Sequence, residues 1–276
     1  MDDVALEELE WRLVAEQARP GPVQMALDET AAETAADGGP ATVRVYRWEP
    51  SCLSLGYRQE SGTVDWEFCR REGIDVTRRQ TGGGGIYHDN WGDVSYSIAV
   101  PAGAVPGDLL DCYHLLCEPV LEALSRMGVD AEFAPEQRPA IYGPACYLRA
   151  LHPAHDVVAG GRKLSGNAQY RRHDAVIQHG SITFESLPAR HLETFADPGT
   201  SPARFRERTT DVASETERPG GISREEAVET LASTLAEWVD ATPGSWTDEE
   251  LERARERAAA KYDAEAWVRD RETPRA

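Results

Sequence analysis

Four consecutive glycines, Gly82–Gly85, form the segment of the sequence best suited to binding a ligand. They lie between stretches typical of β-strands, with Arg78–Arg79 just before them and His88–Asp89 just after. A glycine run exposes backbone N–H groups and lets phosphate-like oxygens approach closely. A neighbouring guanidinium can pair in bidentate fashion with phosphate or carboxylate. Because the spacing matches neither a P-loop nor GxGxxG, the run predicts an anion site, with a flexible turn as the alternative.

Lysine is scarce in this chain, which has two lysines and 27 arginines. One of the two, Lys163, follows Gly160–Gly161, where a hairpin turn is predicted. Arginine could replace a surface lysine, but not one that must place a compact ammonium on a flexible stem. We therefore predict that Lys163 binds a phosphate or carbonyl oxygen on which charge develops, with a solvent-exposed turn lysine as the alternative. Asn167, Gln169 and His179 are candidates either for the same pocket or for hydrogen-bonded core positions.

Acidic residues dominate the composition, with 48 against 29 basic ones and a net charge of −19. Such a chain repels nucleic acid and anionic membranes, so neither is expected as a partner. The acid excess with so little lysine predicts a surface adapted to high salt, and an ordinary acidic protein is the alternative. The N-terminus lacks the basic flank of a signal peptide, and no apolar stretch approaches the roughly 20 residues that cross a bilayer. We therefore expect a cytoplasmic location.

The cysteines and histidines do not have the spacing of a metal site. Five cysteines form no CxxC pair, and seven histidines are scattered along the chain. An odd number of cysteines in a cytoplasmic protein indicates thiols rather than disulfides. We therefore expect that no metal ion is ligated by side chains of this protein.

The hydrophobic patterns predict an α+β domain. Helices are predicted at 22–37, 108–127, 223–241 and 247–262, and strands at 42–48, 52–56, 74–78, 93–100, 156–158, 164–170 and 175–183. The strands are too closely spaced for crossover helices, which favours a mixed, largely antiparallel sheet. Residues 186–221 are polar and interrupted by prolines, and we expect a mobile loop there.

Several motifs together resemble the family of lipoate-protein ligases and octanoyltransferases. RRQTGGGGIYHD (78–89) resembles the family's glycine element, and GRKLSGNAQ (161–169) with QHGSI (178–182) resembles its lysine element. The resemblance extends to MALDE (25–29), to VRVYRWEPSCLSLGY (43–57) and to TDEELERARERAAAKYDAEAW (247–267). Each motif alone is modest, but in this order they cover nearly the whole chain and are specific.

The resemblance implies a fold shared with biotin-protein ligases and class II aminoacyl-tRNA synthetases, a mixed, largely antiparallel sheet flanked by helices. It implies a catalytic domain over 1–245 and a helical extension over 246–276. It also implies that Lys163 contacts both the acyl carbonyl and a phosphate. The implied nucleotide and acyl cradle consists of Arg79, Gly83, Gly84, Gly85, Ile86, Tyr87, His88, Asp89, Gly166, Asn167, Ala168 and His179.

Two reactions fit the resemblance. A ligase would use ATP and Mg to activate lipoate as an adenylate, for attack by a lysine of a lipoyl domain. The acceptors would be 2-oxoacid dehydrogenase complexes or the glycine cleavage H protein. A transferase would instead carry octanoyl from acyl carrier protein to the same lysine as a thioester on Cys146. Either would work without a tightly bound cofactor.

The ligase is the first prediction, because four glycines running into IYHD resemble the ligase version of the loop. It would require a separate accessory chain for adenylation, since the family's accessory domain does not follow residue 267. A non-catalytic protein that binds lipoyl domains or acyl ligands is a third alternative, and a biotin-protein ligase fits the lysine motif less well. Both reactions need a neutral acceptor amine, with Asp89, Asp93 and His179 as candidate proton acceptors.

Overall fold

The computed structural model describes residues 6–171 and 174–272, which contain both strands and helices. The strands are β1 Trp11–Arg19, β2 Ala41–Trp48, β3 Cys52–Leu55, β4 Asp75–Arg78, β5 Ile86–His88, β6 Asp93–Pro101, β7 Ala131–Phe133, β8 Asp156–Ala159, β9 Arg162–Arg171, β10 Ala175–Thr183 and β11 Thr242–Gly244. The helices are α1 Gly21–Ala36, α2 Trp66–Arg71, α3 Leu109–Arg126, α4 Pro188–Glu193, α5 Pro202–Arg208, α6 Val212–Glu215, α7 Arg224–Trp238, α8 Asp248–Arg257 and α9 Glu265–Asp270. One π-helical turn, Ala258–Tyr262, follows α8.

The α+β fold predicted from the sequence is confirmed. Over the described ranges, eight strands form one sheet in the order β11-β1-β2-β6-β10-β9-β8-β7. Its central pairs are antiparallel, whereas β1 runs parallel to both of its neighbours. A second sheet has the order β4-β3-β5. The hairpin-like spacing of the strands indicates this mostly antiparallel arrangement correctly.

Helices cover both faces of the large sheet. On one face α3 and α7 pack over Val43, Ile98 and neighbouring side chains, and on the other α1 and α8 pack near Trp48. The Asp108 carboxylate caps α3 by accepting from the Leu110 and Asp111 amides, as its position predicts. None of the helices within the described ranges is long and apolar enough to span a bilayer.

The sequence patterns miss some elements and misassign one segment. Residues 186–221, expected as a mobile loop, contain α4, α5 and α6. Pro188 and Pro202 lie at the first turns of α4 and α5, where proline is favourable because no N–H is needed there. Phe205 and Val212 are buried and anchor the segment. The prolines therefore begin helices in this segment instead of preventing them.

The polypeptide after residue 246 packs against the second sheet through Arg78. This buried guanidinium donates to the carbonyls of Gly56 and Gln59 on one side and of Trp267 and Val268 on the other. The Trp267 indole N–H returns a hydrogen bond to the Arg78 carbonyl at 2.8 Å. Burial lowers the pKa of Arg78 to about 10, so the side chain stays charged at neutral pH. Arg78 thus joins α9 to the loop after β3, whereas the division at residue 245 stays a prediction.

Replacing Arg78 with methionine is expected to lower the free energy of unfolding by about 2–3 kcal/mol, because several buried carbonyl groups lose their donor. Urea denaturation measures this change. The control is Arg71→Met, because the Arg71 side chain is 60% exposed and its Glu72 partner is 3.3 Å away. An exposed pair of that kind contributes at most about 1 kcal/mol. Equal losses in the two variants would contradict the structural role of Arg78.

Candidate active site

Lys163 lies at the start of β9, directly after the predicted hairpin turn. Gly160 and Gly161 have φ of +54° and +71°, and Val158 pairs with Lys163 across the turn. The pairing then shifts by one residue, so that Asp156 lies opposite Gly166. Since side chains alternate along a strand, this bulge places Lys163 and Gly166 on the same face of the sheet. The turn and the bulge together direct Lys163 toward the protein interior.

The Lys163 ammonium is buried and has three close partners. Its Nζ is 2.7 Å from Asp156 Oδ1, 3.2 Å from the Cys146 carbonyl oxygen and 3.7 Å from Cys146 Sγ. Burial on its own lowers the pKa of Lys163, but its interactions with Cys146 and Asp156 outweigh this effect and raise the pKa overall. For Asp156, burial raises the pKa, and the Lys163 ammonium with His155 brings it well below its usual range. The pair is therefore ionised at neutral pH, with a thiol beside it.

Cys146 is held against the glycine loop by backbone hydrogen bonds. The Cys146 amide donates to the Gly85 carbonyl at 2.9 Å, and the Gly85 amide donates to the Pro144 carbonyl at 2.7 Å. A Cβ on Gly84 would lie 2.5 Å from the Pro144 oxygen and 2.8 Å from the Cys146 nitrogen. Gly84 is therefore the residue that allows the cysteine segment and the glycine loop to pack together.

Replacing Gly84 with alanine is expected to reduce the activity of the site roughly 10- to 100-fold, because the added methyl group displaces the Cys146 backbone by about an ångström. Steady-state kinetics checks this result, and circular dichroism verifies the fold. Gly143→Ala is the control in the same segment, since a Cβ there meets nothing within 4 Å. Full activity in the Gly84 variant would show that this close packing is dispensable.

Arg79 is hydrogen-bonded to the glycine loop, and all five of its N–H donors have acceptors. The Nε group donates to Thr81, one terminal nitrogen donates to the carbonyl and hydroxyl oxygens of Ser54, and the other to the carbonyls of Gly82 and Gly84. The resemblance implies a role for Arg79 in the nucleotide cradle. In this structure its guanidinium is saturated by the protein itself.

Two buried histidines also stabilise the loop. The His179 ring bonds to the Asp28 carboxylate at 2.9 Å and to the Thr81 hydroxyl at 2.8 Å. The His88 ring bonds to the Asp93 carboxylate at 2.9 Å and to the Ser54 hydroxyl at 2.7 Å. Since Thr81 and Ser54 are also acceptors for Arg79, the hydrogen bonds form one network below the glycines.

The network assigns both histidines as neutral rings, each donating to a carboxylate and accepting from a hydroxyl. For His88, burial lowers the pKa below its usual value, which agrees with a neutral ring. Of the proton acceptors suggested by the sequence, His179 and Asp93 belong to this network. The third, Asp89, accepts from the Trp91 and Gly92 amides in a tight turn. The carboxylate that contacts Lys163 is Asp156.

Cys146 and Lys163 line a cavity of about 390 Å³, which also has apolar walls. The apolar part includes Met25, Tyr46, Trp48 and Tyr113. Most of the residues singled out from the sequence lie on this cavity: Arg79, Gly83, Ile86, His88, Cys146, Lys163, Gly166, Asn167, Ala168 and His179. An apolar molecule with a reactive end near Cys146 fits such a lining.

The remaining predicted residues lie nearby but elsewhere. Gly84 and Gly85 pack on the Pro144–Cys146 backbone. Tyr87 and Asp89 line a separate cavity of about 30 Å³, where the tyrosine hydroxyl donates to the Asp89 carboxylate. Within the described ranges, no cluster of three side chains has the geometry to ligate a metal ion.

Asp156 is the functional residue that the sequence patterns do not single out. A signal for it exists in the hairpin, because the turn places Val158 opposite Lys163, and Asp156 shares the face of Val158. A lysine stem is long enough to reach that diagonal neighbour. The apolar wall is harder to find, since Met25 and Tyr113 lie on α1 and α3, far from Lys163 in sequence.

A thiol, an ammonium and a carboxylate close together beside an apolar cavity can perform acyl transfer. The ammonium can stabilise negative charge on the sulfur or on a carbonyl oxygen under attack. The carboxylate holds the ammonium in place. Of the five cysteines, Cys146 is the one that is not fully buried, so its sulfur is the one that a substrate can reach.

The fold and this site define an acyl-attachment enzyme, and comparison with known proteins gives its family. Residues 20–236 match the family described as lipoyl protein ligase A/B catalytic domain. The chain belongs to this family of lipoate ligases and octanoyltransferases, as its motifs predict.

Curated relatives match over almost the full chain. Octanoyltransferase LipM of Symbiobacterium thermophilum is 32% identical over 94% of this chain and 98% of its own. Octanoyltransferase LipM of Kyrpidia tusciae is 33% identical over 93% of this chain and 97% of its own.

Solved structures agree on the fold. A lipoate-protein ligase A crystallised with ATP superposes with a TM-score of 0.77 at 25% identity, covering 94% of this chain and 98% of that one. The bipartite lipoate-protein ligase of Thermoplasma acidophilum superposes with a TM-score of 0.75 at 23% identity, covering 94% and 96%. The latter likeness concerns the fold alone.

Proposed function

We propose that this enzyme is an octanoyltransferase that moves an octanoyl group from acyl carrier protein to a lysine of a lipoyl domain, through a thioester on Cys146. The observation that carries the proposal is the position of Cys146 Sγ, 3.7 Å from the Lys163 ammonium on the wall of the apolar cavity. The names of the curated relatives support the same reaction. The transferase is the alternative prediction from the sequence, and it is better supported than the ligase.

In the first step, the Cys146 sulfur attacks the carbonyl carbon of the octanoyl thioester. A new C–S bond forms to Cys146 and the C–S bond to the carrier breaks, so the carrier leaves as a thiol that carries the proton given up by Cys146. The Lys163 ammonium can stabilise the thiolate before attack and the negative carbonyl oxygen during it. The octanoyl chain then occupies the apolar part of the cavity near Trp48.

In the second step, the acceptor lysine attacks the thioester carbonyl of Cys146. The C–N bond of the amide forms, the C–S bond breaks, and Cys146 is regenerated. The amine must be neutral to attack, and deprotonating a free lysine at pH 7 costs about 4–5 kcal/mol. The positive charge of Lys163 disfavours a second ammonium nearby and so helps the acceptor lose its proton. That first proton goes to solvent, and the second proton, released from the nitrogen as the amide forms, can go to the departing Cys146 sulfur.

Asp156 and Gly166 have positioning roles in this scheme. Asp156 fixes the Lys163 ammonium at 2.7 Å and balances its charge in a buried site. A Cβ on Gly166 would lie 3.2 Å from Cys146 Sγ and 3.6 Å from the Lys163 stem. A bare glycine therefore leaves space beside the sulfur for the carbonyl group of a substrate.

The ATP-dependent ligase is less well supported for this chain. A ligase would place ATP and Mg beside the glycine loop, with cationic side chains on the phosphates. Arg79 has no donor to spare for that purpose. The likeness to a ligase crystallised with ATP keeps nucleotide binding as the second candidate.

One assay tests the proposal. Purified enzyme and an apo lipoyl domain are given either octanoyl-acyl carrier protein without ATP, or lipoate with ATP and Mg. Mass spectrometry of the acceptor is expected to show octanoylation, an increase of about 126 Da, with the first donor. Modification only with lipoate and ATP would overturn the transferase in favour of the ligase. Tight acyl binding without modification from either donor would favour the non-catalytic alternative.

A further inference from the structure

A groove of about 420 Å³ lies beside the cysteine cavity. It is lined by Tyr57, Arg58, Gln59, Gln80, Gly82, Gly83 and Arg149. Gly82, Gly83 and Arg149 also line the cavity that contains Cys146, so the two spaces meet at the glycine loop. Its volume falls within the range of small-molecule sites, roughly 300–1,000 Å³.

Close backbone packing holds the walls of this groove. The Tyr57 amide donates to the Thr81 carbonyl at 2.8 Å, and Arg78 donates to the Tyr57 and Gln59 carbonyls at 3.0 and 2.7 Å. A Cβ on Gly56 would lie 2.0 Å from the Gly83 oxygen. The wall bearing Tyr57 and Arg58 is therefore fixed directly against the glycine loop.

The groove is cationic although the chain as a whole is strongly acidic. Arg58 and Arg149 are both exposed, on a protein with a net charge of −19. Arg149 donates one hydrogen bond, to the Gly143 carbonyl at 3.2 Å. In the part of the chain that the structure describes, no carboxylate forms an ion pair with Arg58 or Arg149. Two guanidinium groups that have no ion-pair partner among the described residues make this groove suited to an anionic group.

We propose that the groove binds the phosphorylated pantetheine arm of the acyl donor, with its phosphate at Arg58 and Arg149 and its thioester end reaching Cys146. This inference rests on the proposed function, which requires a carrier-bound thioester. Such an arm is a slender chain with an anionic phosphodiester at one end and the reactive sulfur at the other. The acceptor fits the groove less well, because guanidinium groups repel an approaching lysine ammonium.

Two soluble donors isolate the contribution of the phosphate. Octanoyl-pantetheine and octanoyl-4′-phosphopantetheine carry the same thioester and differ only in the phosphate group. Quench-flow mass spectrometry measures kcat/KM for acylation of Cys146 by each donor. We expect kcat/KM to be about 10- to 100-fold higher for the phosphorylated donor, because charge-assisted hydrogen bonds to one or two arginines contribute a free energy of that size. Equal efficiency of the two donors would overturn the groove assignment.

Arginine variants locate the effect. In Arg58→Gln and in Arg149→Gln, the ratio of the two kcat/KM values is expected to fall about tenfold, as for the loss of one charged hydrogen bond. Arg70→Gln is the control, since Arg70 is exposed, lies on α2 and lines neither space. A ratio unchanged in both groove variants, or lowered equally in the control, would also overturn the assignment.

Direct binding separates this inference from the proposed function. Calorimetric titration of 4′-phosphopantetheine into Cys146→Ala is expected to show binding that weakens about tenfold when Arg58→Gln is added. Binding without any acylation of the native enzyme would overturn the transferase and keep the groove. Acylation from carrier protein without binding of the free arm, and without any preference for phosphate, would overturn the groove and keep the transferase.

Discussion

Replacing Cys146 with serine is expected to lower the rate of octanoyl transfer by at least about 10³-fold. The reason is that a neutral hydroxyl is a far weaker nucleophile than a thiolate. Intact-mass spectrometry of native enzyme incubated with octanoyl-acyl carrier protein should show one added octanoyl group. The serine variant should show no accumulating acyl-enzyme on the same timescale.

The matched control is Cys69→Ser on α2. Burial, with a smaller effect of Asp65, raises the pKa of Cys69 to about 12, so this sulfur stays a thiol at neutral pH. Burial likewise raises the pKa of Cys117 to about 12. Transfer by the Cys69 variant should remain near native, and iodoacetamide should alkylate Cys146 first. Undiminished transfer by the Cys146 variant would exclude the covalent route.

Replacing Lys163 with methionine is expected to abolish transfer and to lower the free energy of unfolding by about 3–5 kcal/mol at pH 7, because a buried carboxylate loses its partner. The Asp156 and Lys163 side chains are 2% and 3% exposed, so solvent cannot replace the missing ammonium. Urea denaturation measures the stability and the acyl-transfer assay measures the activity.

The Asp156→Asn/Lys163→Met double variant distinguishes the two effects. It removes both charges and should recover much of the lost stability while staying inactive. Recovery of activity in the double variant would mean that Lys163 serves only to balance Asp156. No recovery of stability would mean that the pair is not the source of the destabilisation.

The pH dependence of the same variants follows from the direction of the Asp156 shift. In the native protein Lys163 holds the pKa of Asp156 below its unfolded value, near 3.9, despite burial. The pair therefore stabilises the fold above about pH 4, and this contribution is lost as the pH falls further. In Lys163→Met the lowering effect of the ammonium is lost and burial, opposed only by His155, is expected to raise that pKa, so protonation favours the folded state. The stability deficit of the variant should shrink between pH 7 and pH 5.

Much of the site can be predicted because its positions are encoded locally. The Gly160–Gly161 turn sets the hairpin, and the scarcity of lysine by itself draws attention to Lys163. The long apolar period of α3 and the acidic residue that caps it are likewise sufficient to define that helix. Neighbouring residues in the sequence determine these features, so residue propensities and spacing are enough to predict them.

Other features depend on contacts between distant segments and have no local sign in the sequence. The hydrogen bonds that occupy all donors of Arg79 go to carbonyls of Ser54 and of the glycine loop. The spacing of residues in the sequence does not predict where those carbonyls lie in the fold. The preference for the ligase rests on the length of the glycine run. That length equally serves to bring Gly84 against the Cys146 segment. Adaptation to high salt stays a prediction.

The contacts of Arg78 with Trp267 and Val268 join positions 189 and 190 residues apart. Interactions over such separations close large loops, and they form late when a chain folds. The segment bearing Gly56 would therefore reach its native position in one of the last folding steps, together with the glycines that position Cys146. A partly folded polypeptide without the Arg78 contacts would leave the glycine loop, and the Cys146 segment packed against it, without this support.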